Sequence, residues 1–207
     1  MACRLYLITP PQITDIAGFI AQLPAVFEAG DVACIQLRLK GVDDDTIRRT
    51  VAAMLPVCEQ AEVALILNDR PDLAASTGCD GVHIGPEDVS YGEARKLVGD
   101  QASVGVSCKS SHHLAMSAAE AGADYVAFGA FFPSMTKQDT ETAPLELIEV
   151  WSETTNVPSV AIGGITVENC QPLISAGADF LAVSAGVWSY KEGPESAVRS
   201  FSERMAQ

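Results

Sequence analysis

The feature that most constrains this chain is a phrase it repeats four times: EAGDVACIQLR from Glu28, STGCDGVHIG from Ser76, EAGADYVAFG from Glu120 and SAGADFLAVS from Ser175. Each reads as a helix closed by a left-handed glycine, an acidic residue in a tight turn, and an apolar run entering a core as a strand. The closing glycines Gly30, Gly78, Gly122 and Gly177 are spaced by 48, 44 and 55 residues. Each interval holds about two strand-helix units, so the chain contains eight, the period of a (β/α)8 TIM barrel.

Candidate strands fill that count at Leu5 to Thr9, Cys34 to Leu39, Ala64 to Asn68, Gly81 to Ile84, Ser103 to Ser107, Tyr125 to Phe131, Ser159 to Ile162 and Phe180 to Ser184. They are mostly continuous apolar runs, as parallel strands buried on both faces should be. Helical patterns such as DDTIRRTVAAMLPVCEQ, HHLAMSAAEAG and LELIEVWSE lie between them. The same alternation also permits an open doubly wound sheet, but no GxGxxG follows the first strand. With 207 residues and no linker or low-complexity stretch, residues 1–207 read as one α/β domain.

Charge and cysteine usage narrow the function. The net charge of -14 argues against a nucleic-acid surface or an anionic membrane, so an anionic ligand must be drawn in by a few placed cations, a metal or exposed backbone amides. The first ten residues, MACRLYLITP, carry no signal-peptide pattern, and no stretch of about 18 apolar residues occurs, so a cytoplasmic location is expected. Six cysteines without a CxxC pair read as reduced and mostly buried thiols.

Catalytic residues of such a barrel come from the C-terminal ends of the strands. Strand two ends in QLRLK, where Gln36, Arg38 and Lys40 share parity and should project from one face. Arg offers a planar fork and Lys a point charge, so this is a candidate anion site; paired basic residues at a strand end are the plainer alternative. Asp69 and Asp88 follow adjacent strands, and two carboxylates facing one space suit Mg²⁺, although Asp88 could equally cap the next helix. Gly163 and Gly164 in AIGGITVEN, with Thr166 as a possible N-cap, expose backbone amides suited to phosphate, as does the backbone around Ser184 to Gly186; a tight turn alone would also need the glycines.

The stretch GAFFPSMTKQDT, Gly129 to Thr140, places Ser134, Thr136 and Lys137 directly beyond an apolar run in an acidic chain. Hydroxyls and an ammonium there suit phosphate groups. A Schiff-base role for Lys137 is disfavoured, because that chemistry wants a desolvated lysine inside the barrel. His83 lies mid-strand and reads as a hydrogen-bonded barrel residue, His112 and His113 open a helix without a partner nearby, and Cys108 has no assignable base.

Taken in order, QLRLK, NDRPDLA, DGVHIGPED, GVS, DYVAFGAFFPSMTKQDT, AIGGIT and AGADFLAVSA make the chain resemble the thiamine-phosphate synthase family from its first strand to its last helix. The resemblance implies a TIM-barrel transferase that couples hydroxymethylpyrimidine diphosphate with hydroxyethylthiazole phosphate. It implies that Arg38, Lys40, Asn68 and Lys137 hold the diphosphate, Asp69 and Asp88 hold Mg²⁺, and Gln36 and Ser107 contact the pyrimidine. Ser134, Thr136 and Gly164 would serve the thiazole phosphate with backbone near Ser184. Arg38, Lys40, Ser107 and Lys137 form the implied catalytic set. With the net charge of -14, no nucleic-acid or membrane partner is expected, and the oligomeric state stays open.

The chain departs from the family pattern at Pro86, at Gly129-Ala130, at Ser134 and at Cys108-Lys109, and strand eight aligns only if one residue is skipped. Two alternatives therefore stay open: a thiazole tautomerase of the same superfamily, which would need neither Mg²⁺ nor pyrimidine contacts, and a non-catalytic binder of thiamine precursors.

Overall fold

The structure, a computed structural model, describes residues 3–133 and 142–206. Its strands are β1 (Arg4–Ile8), β2 (Val32–Leu37), β3 (Ala64–Asn68), β4 (Gly81–Ile84), β5 (Ser103–Lys109), β6 (Tyr125–Gly129), β7 (Ser159–Ile162) and β8 (Phe180–Val183). All neighbouring pairs are parallel, and β1 pairs with β8 through Arg4 opposite Phe180 to Leu7 opposite Val183. That closure makes a (β/α)8 barrel and excludes the open sheet.

The helices are α1 (Ile16–Glu28), α2 (Asp44–Gln60), α3 (Pro71–Thr77), α4 (Tyr91–Val98), α5 (His112–Ala121), α6 (Glu146–Thr154), α7 (Gln171–Ser175), α8 (Ala185–Trp188) and α9 (Pro194–Met205). Side-chain caps start several of them: Asp15 on α1, Asp43 on α2, Ser111 on α5, and a reciprocal Ser90–Glu93 capping box on α4. None of the described helices is long and apolar enough to cross a membrane.

Alternation along the strands makes two cores. Leu5 and Leu7 of β1 point outward to the helices, where Leu23, Met54, Trp151 and Phe201 are fully buried, whereas Tyr6 and Ile8 join Cys34, Ile66, Tyr125 and Val160 inside the barrel. All six cysteines are free and buried, as expected of reduced thiols.

The repeated phrase has a mechanical role beyond its turn. Asp80, Asp124 and Asp179, each just before an even-numbered strand, accept the backbone N–H of Leu65, Val104 and Ser159 in the preceding strand at 2.7, 2.7 and 2.8 Å. Asp31 does the same for Leu5 through its carbonyl and pairs its carboxylate with Arg4. The acid thus clips alternate seams at the bottom of the barrel.

Gly78, Gly122 and Gly177 do adopt positive φ at helix ends; Gly30 does not. A Cβ at Gly30 would lie 2.0 Å from Ser202 Oγ, so there the need is close packing against α9.

Asp124 also meets Arg95, whose guanidinium donates to the Gly99 carbonyl at 2.8 Å. Asp124→Ala leaves the buried Val104 N–H without its acceptor and is expected to cost about 2 kcal/mol, roughly 4–8 °C in Tm. Asp124→Asn, which keeps an acceptor, should lose about half as much in the same thermal melt. Equal losses would place the effect in charge rather than in the clip.

Several strand bounds differ from those expected from sequence. β2 runs from Val32 and stops at Leu37, because the Arg38 amide turns to Thr9 Oγ1 at 3.0 Å and the Lys40 amide to the Pro11 carbonyl at 2.9 Å. Arg38 and Lys40 therefore lie in a loop, and the parity argument for QLRLK holds only for Gln36. β6 stops at Gly129, and Phe131 and Phe132 continue as backbone pairs to Ile162 and Gly163 rather than as strand.

Candidate active site

Three charged groups converge above β3 and β4. Lys40 Nζ donates to Asp69 Oδ2 at 2.6 Å, and the Asp88 carboxyl stands near enough to Asp69 and Lys40 to feel both charges. Partial loss of hydration, with the charge of Asp69 adding to it, raises the Asp88 carboxyl above the ordinary range, while the Gly85 N–H and Lys40 oppose the rise.

Asp88 is not the helix cap that its position allowed. Its Oδ2 accepts from Gly85 N at 2.7 Å, and Ser90 caps α4 instead.

Asp69 itself sits at φ 65°, in the left-handed region, with its N–H donated to the His83 carbonyl at 2.8 Å. A non-glycine residue held there costs about a kcal/mol or more, which the fold tolerates where geometry at a site demands it. Among the described residues no group of three or more His, Cys, Asp or Glu side chains is placed to hold a metal. Two neighbouring carboxylates fit a hard cation that keeps waters and substrate oxygens for its other positions, which is the habit of Mg²⁺ rather than of zinc.

Around this centre stand Arg38 and Asn68, both half-buried at the ends of β2 and β3. Arg38 makes no side-chain hydrogen bond or ion pair with the described residues, and its planar fork suits an anion. Gln36 is buried inside the barrel and Ser107 is half-buried on β5.

A chain of hydrogen bonds links those two across the barrel. Gln36 Nε2 donates to Tyr6 Oη at 2.9 Å, Tyr6 Oη meets Tyr125 Oη at 2.9 Å, Tyr125 Oη meets His83 Nδ1 at 3.1 Å, and His83 Nε2 meets Ser107 Oγ at 2.8 Å. Burial pushes the His83 imidazolium down to about 4, against only a small opposing influence of Asp69, so the ring is neutral at physiological pH. His83 is the hydrogen-bonded barrel residue that the sequence suggested. Its partners Tyr6 and Tyr125 were not anticipated, and the available signal was a phenol in each of two apolar strands, within β1 and at the start of β6, which needs a polar partner when buried.

On the opposite side of the mouth the Gly163-Gly164 loop lies under the segment after β6. A Cβ on Gly163 would fall 2.4 Å from that of Ala130, and one on Gly164 would fall 2.5 Å from the Pro133 carbonyl. Phe131, Phe132 and Ala143 are tied by backbone bonds to Ile162, Gly163 and Ala130. Ser134, Thr136 and Lys137 lie outside the described residues.

Thr166 does not cap a helix: its N–H donates to Asn169 Oδ1 at 2.8 Å, and α7 begins only at Gln171. Ser184 opens α8 and its Oγ donates weakly to the Thr9 carbonyl at 3.4 Å. Any phosphate contact here therefore comes from loop amides, not from a helix dipole of useful length.

Cys108 is fully buried, with its thiol pushed up to about 12, and does not serve as a nucleophile. His112 and His113 open α5, and the His112 ring meets Trp151 edge-on at 5.7 Å.

The family model described as thiamine monophosphate synthase matches residues 5–187. Over 203 residues the chain is 58% identical to the thiamine-phosphate synthase of Rhodospirillum centenum, covering 98% of each chain. Over 202 residues it is 52% identical to that of Hyphomonas neptunium, covering 96% of this chain and 91% of the relative. Among solved structures, the thiamine phosphate pyrophosphorylase of Pyrococcus furiosus superposes with a TM-score of 0.87 at 25% identity, covering 99% of this chain and 96% of that one.

Proposed function

This chain belongs to the thiamine monophosphate synthase family, and from that premise we propose that its barrel mouth joins hydroxymethylpyrimidine diphosphate to hydroxyethylthiazole phosphate, with Mg²⁺ held by Asp69 and Asp88. The activity is thiamine-phosphate synthesis, a transferase reaction on small molecules. Residues 1–207 act as one catalytic domain, without nucleic-acid or membrane partners, in the cytoplasm.

The observation that carries the reading is the convergence of Lys40, Asp69 and Asp88 in the loops after three adjacent strands, β2, β3 and β4. A tautomerase or a precursor-binding protein has no use for that centre, and the curated relatives named above are synthases.

The bond from the pyrimidine methylene to the diphosphate oxygen breaks, and its electron pair leaves with the diphosphate. The thiazole nitrogen then supplies the pair for the new C–N bond. Because the electron-rich aminopyrimidine stabilises the intervening cation, the protein needs neither a covalent nucleophile nor a strong base. Mg²⁺, when bound, neutralises charge on the departing diphosphate.

Arg38, Lys40 and Asn68 hold the diphosphate oxygens, with Lys137 joining them from the sequence that follows β6. Gln36 and Ser107 grip the pyrimidine. Ser134, Thr136 and the backbone at Gly164 and Ser184 hold the thiazole phosphate.

The test supplies both substrates and Mg²⁺ to the folded protein and follows thiamine phosphate and diphosphate. Both products in equal amounts are expected, and substrates left unconsumed would overturn the reading.

A further inference from the structure

We propose that the buried chain Gln36–Tyr6–Tyr125–His83–Ser107 sets the hydrogen-bond polarity of the pyrimidine pocket, so that Gln36 presents an acceptor and Ser107 a donor. The inference rests on the synthase reading and goes beyond it, because it assigns Tyr6, Tyr125 and His83 as positioning residues that touch no substrate.

The supply of protons sets the direction of the chain. Each tyrosine hydroxyl has one proton to donate. Tyr6 Oη receives the Gln36 amide N–H, and its other partner among the described residues is Tyr125 Oη, so its own proton points to Tyr125. Tyr125 must then donate to His83 Nδ1, which makes Nδ1 the bare nitrogen and Nε2 the protonated one. Nε2–H donates to Ser107 Oγ, and the serine proton has no acceptor among the described residues.

At the other end the Gln36 nitrogen is engaged, and its Oε1 bonds none of the described residues. Gln36 Oε1 and the Ser107 proton therefore set an acceptor at one end and a donor at the other, beside the second Gln36 N–H. An aminopyrimidine matches them, with its amino N–H to Gln36 and a ring nitrogen to Ser107. A 4-oxopyrimidine, which exchanges the amino donor for an acceptor, leaves Gln36 Oε1 without its bond.

The middle of the chain is built to stay in place. The Tyr125 ring stacks on His83 with centroids 5.6 Å apart and meets Tyr6 edge-on at 5.8 Å. The ring occupies the space where a side chain of residue 105 would stand: a Cβ on Gly105 would lie 1.9 Å from Tyr125 Cζ. Cooperative chains of this kind reverse as a whole or not at all, because turning one hydroxyl leaves two donors or two acceptors facing each other in a buried site.

Two measurements test this. The first is the nitrogen NMR signature of His83 in the wild-type enzyme at neutral pH, for which protonated Nε2 and bare Nδ1 are expected; the opposite tautomer overturns the proposal without any variant having to fold.

The second compares the binding of 4-amino and 4-oxo pyrimidine diphosphates, with inorganic diphosphate as the control for the cation site. Wild type should prefer the amino form on the order of 10²-fold, since a mismatch leaves buried groups unpaired. Tyr125→Phe should reduce that preference at least tenfold while leaving the affinity for inorganic diphosphate unchanged. A Tyr125→Phe variant that keeps the full preference sinks the proposal and leaves the synthase reading standing. A wild-type protein that neither binds the amino form nor makes thiamine phosphate overturns both.

Discussion

Asp69→Ala is expected to lower kcat/KM for thiamine phosphate formation on the order of 10³-fold and to abolish its dependence on Mg²⁺. The side chain accepts from Lys40 at 2.6 Å and stands beside Asp88, so its loss removes one of two carboxylates and leaves Lys40 without its described partner. Because Asp69 holds φ 65°, alanine there adds backbone strain to the lost charge. Asn tolerates the left-handed region better and keeps the size, so Asp69→Asn separates the two contributions. If charge is what matters, Asp69→Asn loses nearly as much rate and Mg²⁺ response as Asp69→Ala while melting closer to wild type. An Asp69→Asn enzyme with an unchanged Mg²⁺ titration would remove this residue from the metal site.

The second large effect is on stability against pH. His83 falls from its ordinary 6.5 to about 4 because burial disfavours the charged ring. The unfolded chain therefore binds a proton that the folded chain does not between those values, and stability falls as pH drops through that window. Its full extent is about 3 kcal/mol at 1.36 kcal/mol per unit.

The carboxylates of Asp44 and Asp72, held below the usual range by hydrogen bonds from Arg70, contribute their own loss only at lower pH. Denaturant titrations between pH 7 and about 5 should thus show a slope that His83→Gln removes. A variant with the wild-type slope would show that the acid sensitivity arises elsewhere.

Much of the architecture was legible because the signals are local. A glycine that closes a helix, an acid in the turn and an apolar run act within about ten residues of each other, and four copies at regular spacing leave few folds to choose from. The pairing of Asp69 with Asp88 could be read for the same reason, since both follow neighbouring strands of such a barrel. The QLRLK parity failed because where β2 ends is settled by bonds to Thr9 and Pro11, residues about 30 positions away in sequence. The choice between a capping and a site role for Asp88 was equally non-local: Ser90 satisfied α4 first, and the Gly85 amide turned Asp88 to Asp69.

The sequence by itself determined the barrel and the family, and it named the residues at the strand ends, because strand periodicity, turn chemistry and motif order are written along the chain. Only the tertiary structure decided which of those residues meet. Tyr6 and Tyr125 stand 119 positions apart, and their hydroxyls, like the ammonium of Lys40 and the carboxyl of Asp69, come within hydrogen-bond reach once eight strands close on one another. Side chains converge on a common centre through that closure, and no local pattern encodes which ones will.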